Sequence, residues 1–157
     1  MAIYTRFVKN LDGKSNSVEL SFPVASGVTV TAGDFVYFAS GRITSATVAG
    51  ARLIGQVQQT ATGNAGGTVY ALVLVDDSAV YLVKNDNDSG TFAVTHVGQY
   101  FDLIGATGAE LVDTSSASAT TGQLLCLEFN PQIPGVASDT TYGLFKIAEH
   151  ATYSLGS

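Results

Sequence analysis

The stretch TVYALVLVDDSAVYLVK, residues 68–84, decides the fold class of this chain. Its two apolar runs, Thr68 to Val75 and Val80 to Lys84, are short and rich in Val, Leu and Tyr. β-branched and aromatic residues favour extended backbone, and runs of this length are typical of strands. The stretch therefore predicts two β-strands, with Asp76 and Asp77 in a solvated turn after the first of them.

The rest of the chain repeats this pattern of short apolar runs bounded by Gly, Asn, Asp or Ser. Helical spacing is scarce: the one candidate, Ser115 to Thr121, is so rich in Ser and Thr that a loop is an equal interpretation. The 157 residues suffice for one domain with its own core. The sequence therefore predicts an all-β fold of antiparallel hairpins. Its other principal strands are Phe35 to Ser40, Arg52 to Gln59, Gln99 to Ile104, Gln123 to Phe129 and Leu144 to Ala148.

Several polar, Gly-containing segments are typical of turns between paired strands. Ala39-Ser40-Gly41, Thr62 to Gly67 and Asn85 to Gly90 are expected to join neighbouring strands. Asp12-Gly13 suits a two-residue type I′ turn, because Asp followed by Gly tolerates positive φ at both central positions. It predicts a hairpin between Phe7-Val8 and Val18 to Phe22.

The N-terminal segment is a candidate interface. Residues 1–22 are interpreted as an arm or hairpin, and residues 23–157 as the single β domain. Ile3, Tyr4 and Phe7 are apolar and precede the Asp12-Gly13 turn, so an extended arm could add a strand to the free sheet edge of a neighbour. The alternative is that this segment forms the first strand of its own domain.

Composition and charge exclude several classes of protein. Hydrophobic residues make up 46% of the chain and charged residues 13%, which excludes a disordered chain. The net charge of −6 disfavours nucleic acid and anionic membrane surfaces as partners. Val69 to Val75 is the longest apolar run, far short of the roughly 20 residues that span a bilayer. The first residues resemble no secretory signal, so synthesis in the cytoplasm is expected.

Two features suggest a larger organisation. Phe35 to Phe38, Val69 to Val75 and Leu124 to Leu127 are apolar on both faces, which predicts a homo-oligomer; the alternative is a closed barrel whose own loops cover the second face. In addition, Ala32 to Phe38 resembles Val97 to Leu103, since each is a Gly-led aromatic strand that turns through glycine into a second strand. This echo indicates either an internal duplication or chance among common glycines.

The residues that usually carry chemistry form no known constellation. Cys126 lies within an apolar strand, where burial raises the thiol pKa, and His96 and His150 have no evident catalytic partners. Asn85 to Gly90 has oxygen ligands at alternate positions, but the twelfth residue of a calcium loop counted from Asn85 is His96 instead of an acid. A solvated turn is therefore the preferred interpretation. We expect no catalytic residue, no metal ion and no cofactor.

Several stretches together resemble one family, the capsid decoration (cement or head-stabilising) proteins of tailed bacteriophages. The resemblance extends over most of the chain, in separate stretches between residues 27 and 150. Within the Thr114 to Gly122 stretch, the tract from Ser115 to Thr121 adds no distinctive motif, which leaves the topology of the second half open. The resembling stretches are Gly27 to Val36, Gly41 to Ala46, Leu53 to Val57, Val69 to Val75, Val97 to Leu103, Thr114 to Gly122 and Phe145 to His150.

The resemblance implies a non-enzymatic β-barrel or β-tulip-like protein. Such a protein binds the outside of an icosahedral phage capsid, commonly as a trimer, with the major capsid protein as its partner and the virion exterior as its location. The family has no shared catalytic residues to carry over. The first alternative is a carbohydrate- or receptor-binding β module of a phage fibre or cell surface, for which seven tyrosines supply stacking faces while tryptophan is absent. The second is a hydrolase with a site between subunits, which only two histidines support.

Overall fold

The computed structural model describes residues 5–13, 17–46, 51–86, 92–129 and 141–148. The described chain consists of strands joined by turns, with two 3-10 helices of three residues each, Val94–His96 and Thr114–Ser116. The predicted all-β class is therefore confirmed. The strands are β1 (Thr5–Asn10), β2 (Glu19–Pro23), β3 (Thr29–Val30), β4 (Phe35–Ala39), β5 (Arg42–Ser45), β6 (Leu53–Val57), β7 (Ala61–Thr62), β8 (Tyr70–Leu74), β9 (Ala79–Lys84), β10 (Tyr100–Phe101), β11 (Leu103–Ile104), β12 (Leu111–Val112), β13 (Leu124–Phe129) and β14 (Tyr142–Ile147).

Two five-stranded antiparallel sheets organise these strands. Sheet I has the order β2-β8-β6-β4-β5, and sheet II has the order β1-β9-β14-β13-β10. β3 with β7, and β11 with β12, form two small two-stranded sheets. The polar segment after β8, including Asp76 and Asp77, carries the chain from sheet I to sheet II.

Two of the predicted turns join paired strands as expected. Ser40 and Gly41 connect β4 to β5 with φ values of 51° and 76°, so both central residues have the positive φ of a type I′ turn. Thr62 to Gly67 lies in the connection between β6 and β8, which pair antiparallel. The Asn85 to Gly90 segment lies mostly outside the described residues, and only Asn85 and Asp86 are described.

The two halves of the chain have equivalent backbone arrangements. In each half, a glycine with positive φ, Gly33 or Gly98, begins the aromatic strand singled out by the sequence echo. The same hydrogen bonds then recur between corresponding residues, with four to eight more residues between the partners in the second half, so the two echoing stretches occupy equivalent positions. The matched bonds are Gly33 N–H to Val57 O with Gly98 N–H to Cys126 O, Val57 N–H to Asp34 O with Cys126 N–H to Gln99 O, and Ala25 N–H to Ile43 O with Asp86 N–H to Val112 O.

Each half also bends back on itself in the same way. Beyond β2, Val24 makes a parallel bridge to Ile43 of β5, at the other end of the order of sheet I. Beyond β9, Asn85 makes the corresponding parallel bridge to Val112 of β12. A single bridge, in place of a continuous ladder, thus brings the ends of each half together. By this comparison, Val24 of the first half corresponds to Asn85 of the second.

Most side chains of the two-sided apolar strands are covered within one chain, whereas Phe38 and Tyr70 are exposed. Phe35 and Leu74 belong to the largest core cluster, together with Tyr81 and Phe145 of sheet II. Their neighbours on the same strands, including Val36 and Val73, form a second buried cluster. Both faces of β4 and β8 thus contribute to buried clusters of the same chain, and the homo-oligomer stays a prediction.

The predicted N-terminal hairpin is wrong. A turn does form at Asp12-Gly13, where Gly13 has a φ of 75°. The flanking strands part, however, because β1 pairs with β9 in sheet II and β2 pairs with β8 in sheet I. The described part of residues 1–22 thus contributes one strand to each of the two sheets.

Candidate functional site

Only one of the three candidate interface residues can be located. Phe7 lies in β1, is half-buried and packs edge-on against Tyr81 of β9, with 6.2 Å between ring centroids. Ile3 and Tyr4 lie outside the described residues. For Phe7, the structure shows the alternative interpretation: this residue belongs to a strand of the chain's own sheet.

We expect Phe7→Ala to lower the free energy of unfolding by about 2 kcal/mol, because it removes a large apolar side chain from a half-buried contact. Chemical denaturation followed by circular dichroism measures the change. Leu11→Ala is the control, since Leu11 is 53% exposed and its loss should cost less than about 0.5 kcal/mol. Equal stabilities for the two variants would show that β1 contributes little to the fold.

A sheet edge is open at β2, in sheet I. Val24 N–H donates to Val69 O, and Val75 N–H donates to Val18 O, so residues 18, 20, 22 and 24 direct their backbone groups toward β8. By alternation, Glu19 and Ser21 direct theirs away from β8, where no strand of the described chain pairs with them. Pro23 points the same way and has no N–H to donate, as is common on edge strands.

Apolar side chains line this open edge. Val18 is 54% exposed and Leu20 is 48% exposed. Together with Phe22 they occupy every second position, so their side chains lie on one face of the strand. Phe22 contacts Phe38 of β4 edge-on, with ring centroids 5.2 Å apart, and this contact continues the apolar surface onto β4. We call this set the β2 edge: the outward backbone groups of Glu19 and Ser21, with the side chains of Val18, Leu20 and Phe22.

The counterpart edge in the other half is closed. Because Val24 corresponds to Asn85, the outward residues Glu19 and Ser21 correspond to Val80 and Leu82 of β9. β1 pairs along that edge, and every residue from Ala79 to Val83 is buried. Tyr81, the counterpart of Leu20, is 0% exposed and has the rings of both Phe7 of β1 and Phe35 of β4 packed against it.

Sequence reasoning identified β2 as a strand but not as the candidate site. The alternation of Val18, Leu20 and Phe22 with polar residues, followed by Pro23, is the signal of an edge strand. Whether an edge is open depends on which strand pairs beside it, and that pairing is not visible in the local sequence.

Two buried acids form a separate polar cluster between the halves. The Glu110 carboxylate, 1% exposed, accepts hydrogen bonds from Phe35 N–H at 2.6 Å, Ser45 Oγ at 2.9 Å and Ala46 N–H at 3.3 Å. Burial, and to a lesser degree the charge of Asp34, raises the pKa of Glu110 to about 8.

Asp34, 2% exposed, accepts from Thr31 N–H at 2.8 Å, from Gly108 N–H at 2.7 Å and from the Thr107 hydroxyl. Each acid is thus held by three protein donors. The hydrogen bonds of this cluster link the loop before β12 to β4 and β5, so both acids have a structural role.

The remaining sequence candidates are mostly part of the framework. Cys126 is buried, and desolvation raises its thiol pKa to about 11, as expected for a core cysteine. His96 packs against Phe92 and Phe101 and accepts a hydrogen bond at Nδ1 from Ala93 N–H at 3.1 Å. His150 lies outside the described residues.

Asp86 and Asp76, from the two acidic segments, each accept hydrogen bonds from nearby residues. Asp86 Oδ1 accepts from Thr114 N–H at 3.2 Å and Thr114 Oγ1 at 2.8 Å. Asp76 Oδ1 accepts from Ser78 N–H at 3.0 Å and Ser78 Oγ at 2.7 Å, and Asp77 is exposed, as predicted for a turn. Within the described ranges, no three His, Cys, Asp or Glu side chains come together as a metal site.

Comparisons with known proteins found no counterpart. No protein-family model, no curated protein and no solved structure matches the chain. In the part of the chain that is described, neither helix has the length and apolar character needed to cross a membrane.

Proposed function

We propose that this chain is a non-enzymatic virion structural protein that binds the outer surface of an icosahedral phage capsid and stabilises it. The observation that carries the proposal is the β2 edge, where exposed Val18 and Leu20 lie next to outward backbone groups with which no described strand pairs. Contiguous apolar surface beside an unpaired edge is a feature of proteins that bind other proteins. The resemblance to phage decoration proteins supplies the partner, the major capsid protein.

The body behind this edge suits a mechanical role. Two five-stranded sheets share one core cluster, and Asp34 and Glu110 add buried hydrogen bonds between the halves. A rigid body that bridges neighbouring capsid subunits buries surface only in the assembled shell, and it stabilises the shell by mass action. A trimeric state belongs to this proposal through the family resemblance alone.

Co-sedimentation with undecorated, expanded capsids tests the proposal. We expect the protein to pellet with capsids, to remain in the supernatant without them, and to raise the temperature at which the capsids disassemble. A glycan array serves as the counter-test, because Tyr70, 55% exposed, offers a ring on which a sugar could stack. Glycan binding without capsid binding would replace this proposal by the carbohydrate-binding alternative.

A further inference from the structure

We infer that the β2 edge receives an extended strand from the capsid protein, which pairs antiparallel with β2 in the way that β1 pairs with β9. The identity of the donor rests on the proposed function. The docking geometry rests on the comparison between the two halves of this chain. The direction of strand exchange is opposite to the predicted arm, because β1 is already paired in its own sheet.

The closed edge of β9 shows the contacts that such a strand makes. Arg6 lies opposite Leu82, and Lys9 lies opposite Val80, at the two residues whose backbone groups point away from β14. Phe7 lies opposite Tyr81 and packs against its ring. A docked strand therefore supplies backbone hydrogen bonds at two alternate residues and an aromatic contact between them.

The same geometry defines the strand that fits β2. Position for position, Glu19 corresponds to Val80, Leu20 to Tyr81 and Ser21 to Leu82. A strand like β1 would place an aromatic side chain over Leu20 and a basic side chain opposite Glu19. Opposite charges directly across an antiparallel pair stabilise it, so the β2 edge selects a basic strand with an aromatic residue at an alternate position.

Charge favours this partner over a second copy of the chain. Each copy has a net charge of −6, and pairing β2 with β2 would bring a second Glu19 to the same short edge. The field of the whole protein instead favours the approach of a basic segment. Pairing of two copies through β2 is the competing outcome of the test.

The first test uses a synthetic peptide with the sequence of residues 3–10, which contains the Arg-Phe-Val-Lys pattern of β1. Amide hydrogen exchange of the full-length protein is measured with and without the peptide. We expect saturable binding that slows exchange of the Glu19 and Ser21 amides by about tenfold. A peptide in which Arg and Lys are replaced by Glu should give no protection. Unchanged exchange at both amides with the basic peptide would overturn the inference.

Two variants of the full-length protein are designed to prevent a strand from pairing with β2, each by a different change. Ser21→Pro removes an outward N–H that no described strand uses, and Leu20→Lys places a charge in the apolar row. Both should abolish peptide protection while the circular dichroism spectrum stays unchanged. Val94→Lys is the matched control, since Val94 is 69% exposed but lies in a 3-10 helix outside β2.

The same three variants separate this inference from the proposed function. If the wild type and Val94→Lys pellet with capsids and the two edge variants do not, the capsid function and the β2 inference are both supported. If all four proteins pellet equally, the β2 inference is wrong and the capsid function remains. If the wild type fails to pellet, the capsid function is wrong, and the peptide result alone decides whether β2 accepts a strand. A wild-type dimer that Leu20→Lys converts to monomers would assign the edge to a second copy and overturn the inference.

Discussion

Replacing Gly55 by alanine is expected to lower the free energy of unfolding by about 3 kcal/mol or more, enough to prevent folding if the protein is marginally stable. Gly55 lies in the middle of β6, where a Cβ would sit 1.8 Å from the backbone oxygen of Leu74. That oxygen belongs to the neighbouring strand β8, so relief requires the two strands to separate. The clash is with backbone, and no side-chain rotation removes it.

Thermal and urea denaturation of Gly55→Ala and Gly66→Ala measure this effect. Gly66 is exposed, its φ is not in the positive region, and the nearest atom to an added Cβ is a Thr68 methyl at 3.7 Å. This control should therefore change stability by less than about 0.5 kcal/mol. Similar stability of the two variants would contradict the close approach of β6 and β8.

The second large effect is a loss of stability as pH rises. Burial raises the pKa of Glu110 from its ordinary value of 4.5 to about 8, so the folded state binds a proton more tightly than the unfolded chain does. The stabilisation is therefore complete below pH 4.5 and lost as pH rises to about 8. Because one pH unit corresponds to about 1.4 kcal/mol, Glu110 is expected to destabilise the protein by about 4 to 5 kcal/mol across that range.

Glu110→Gln isolates this contribution from the other titrating groups. The amide has no proton to lose near neutral pH, but its nitrogen cannot accept the hydrogen bond of Phe35 N–H or Ala46 N–H. We expect a constant cost of about 1 to 3 kcal/mol and a flatter dependence of stability on pH than in the wild type. Urea titrations between pH 5 and pH 8 give the difference curve, and parallel curves for the two proteins would refute a raised pKa at Glu110.

The local sequence was sufficient to predict most strands of this fold. Thr68 to Val75 and Val80 to Lys84 were predicted from composition and length, and the structure has β8 and β9 within those bounds or one residue beyond them. The turn at Ser40-Gly41 was predictable for the same reason, since positive φ is a property of the residues in the turn. The recurrence of Ala32 to Phe38 at Val97 to Leu103 also marked a real structural equivalence.

The pairing between distant strands could not be predicted from the local sequence. The Asp12-Gly13 turn forms, yet β1 crosses to β9 about 70 residues away in sequence. A turn signal reports only the direction change of the chain, whereas the partner of each strand depends on burial across the whole core. Phe7 illustrates this: its apolar character suited both a free arm and a strand over Tyr81, and packing decided between them.

The β2 edge could not be predicted from the sequence for a related reason. Val18, Leu20 and Phe22 alternate as any half-buried strand does, and nothing in their sequence says that the neighbouring position is empty. Glu110 gave no signal either, because its burial comes from β4 and β5, which lie more than 60 residues earlier in the chain. Both features depend on contacts between segments that lie far apart in the chain.

The closure of β9 by β1 also limits how copies of this molecule can associate. A body with two equivalent open edges can be joined at both, and repeated joining of that kind produces filaments of unlimited length. Here β1 occupies one of the two counterpart edges, while no strand of the described residues pairs along the β2 edge. Addition of a strand at this pair of edges therefore stops after one event, and further joining would have to use a different edge, such as that of β1, the outer strand of sheet II.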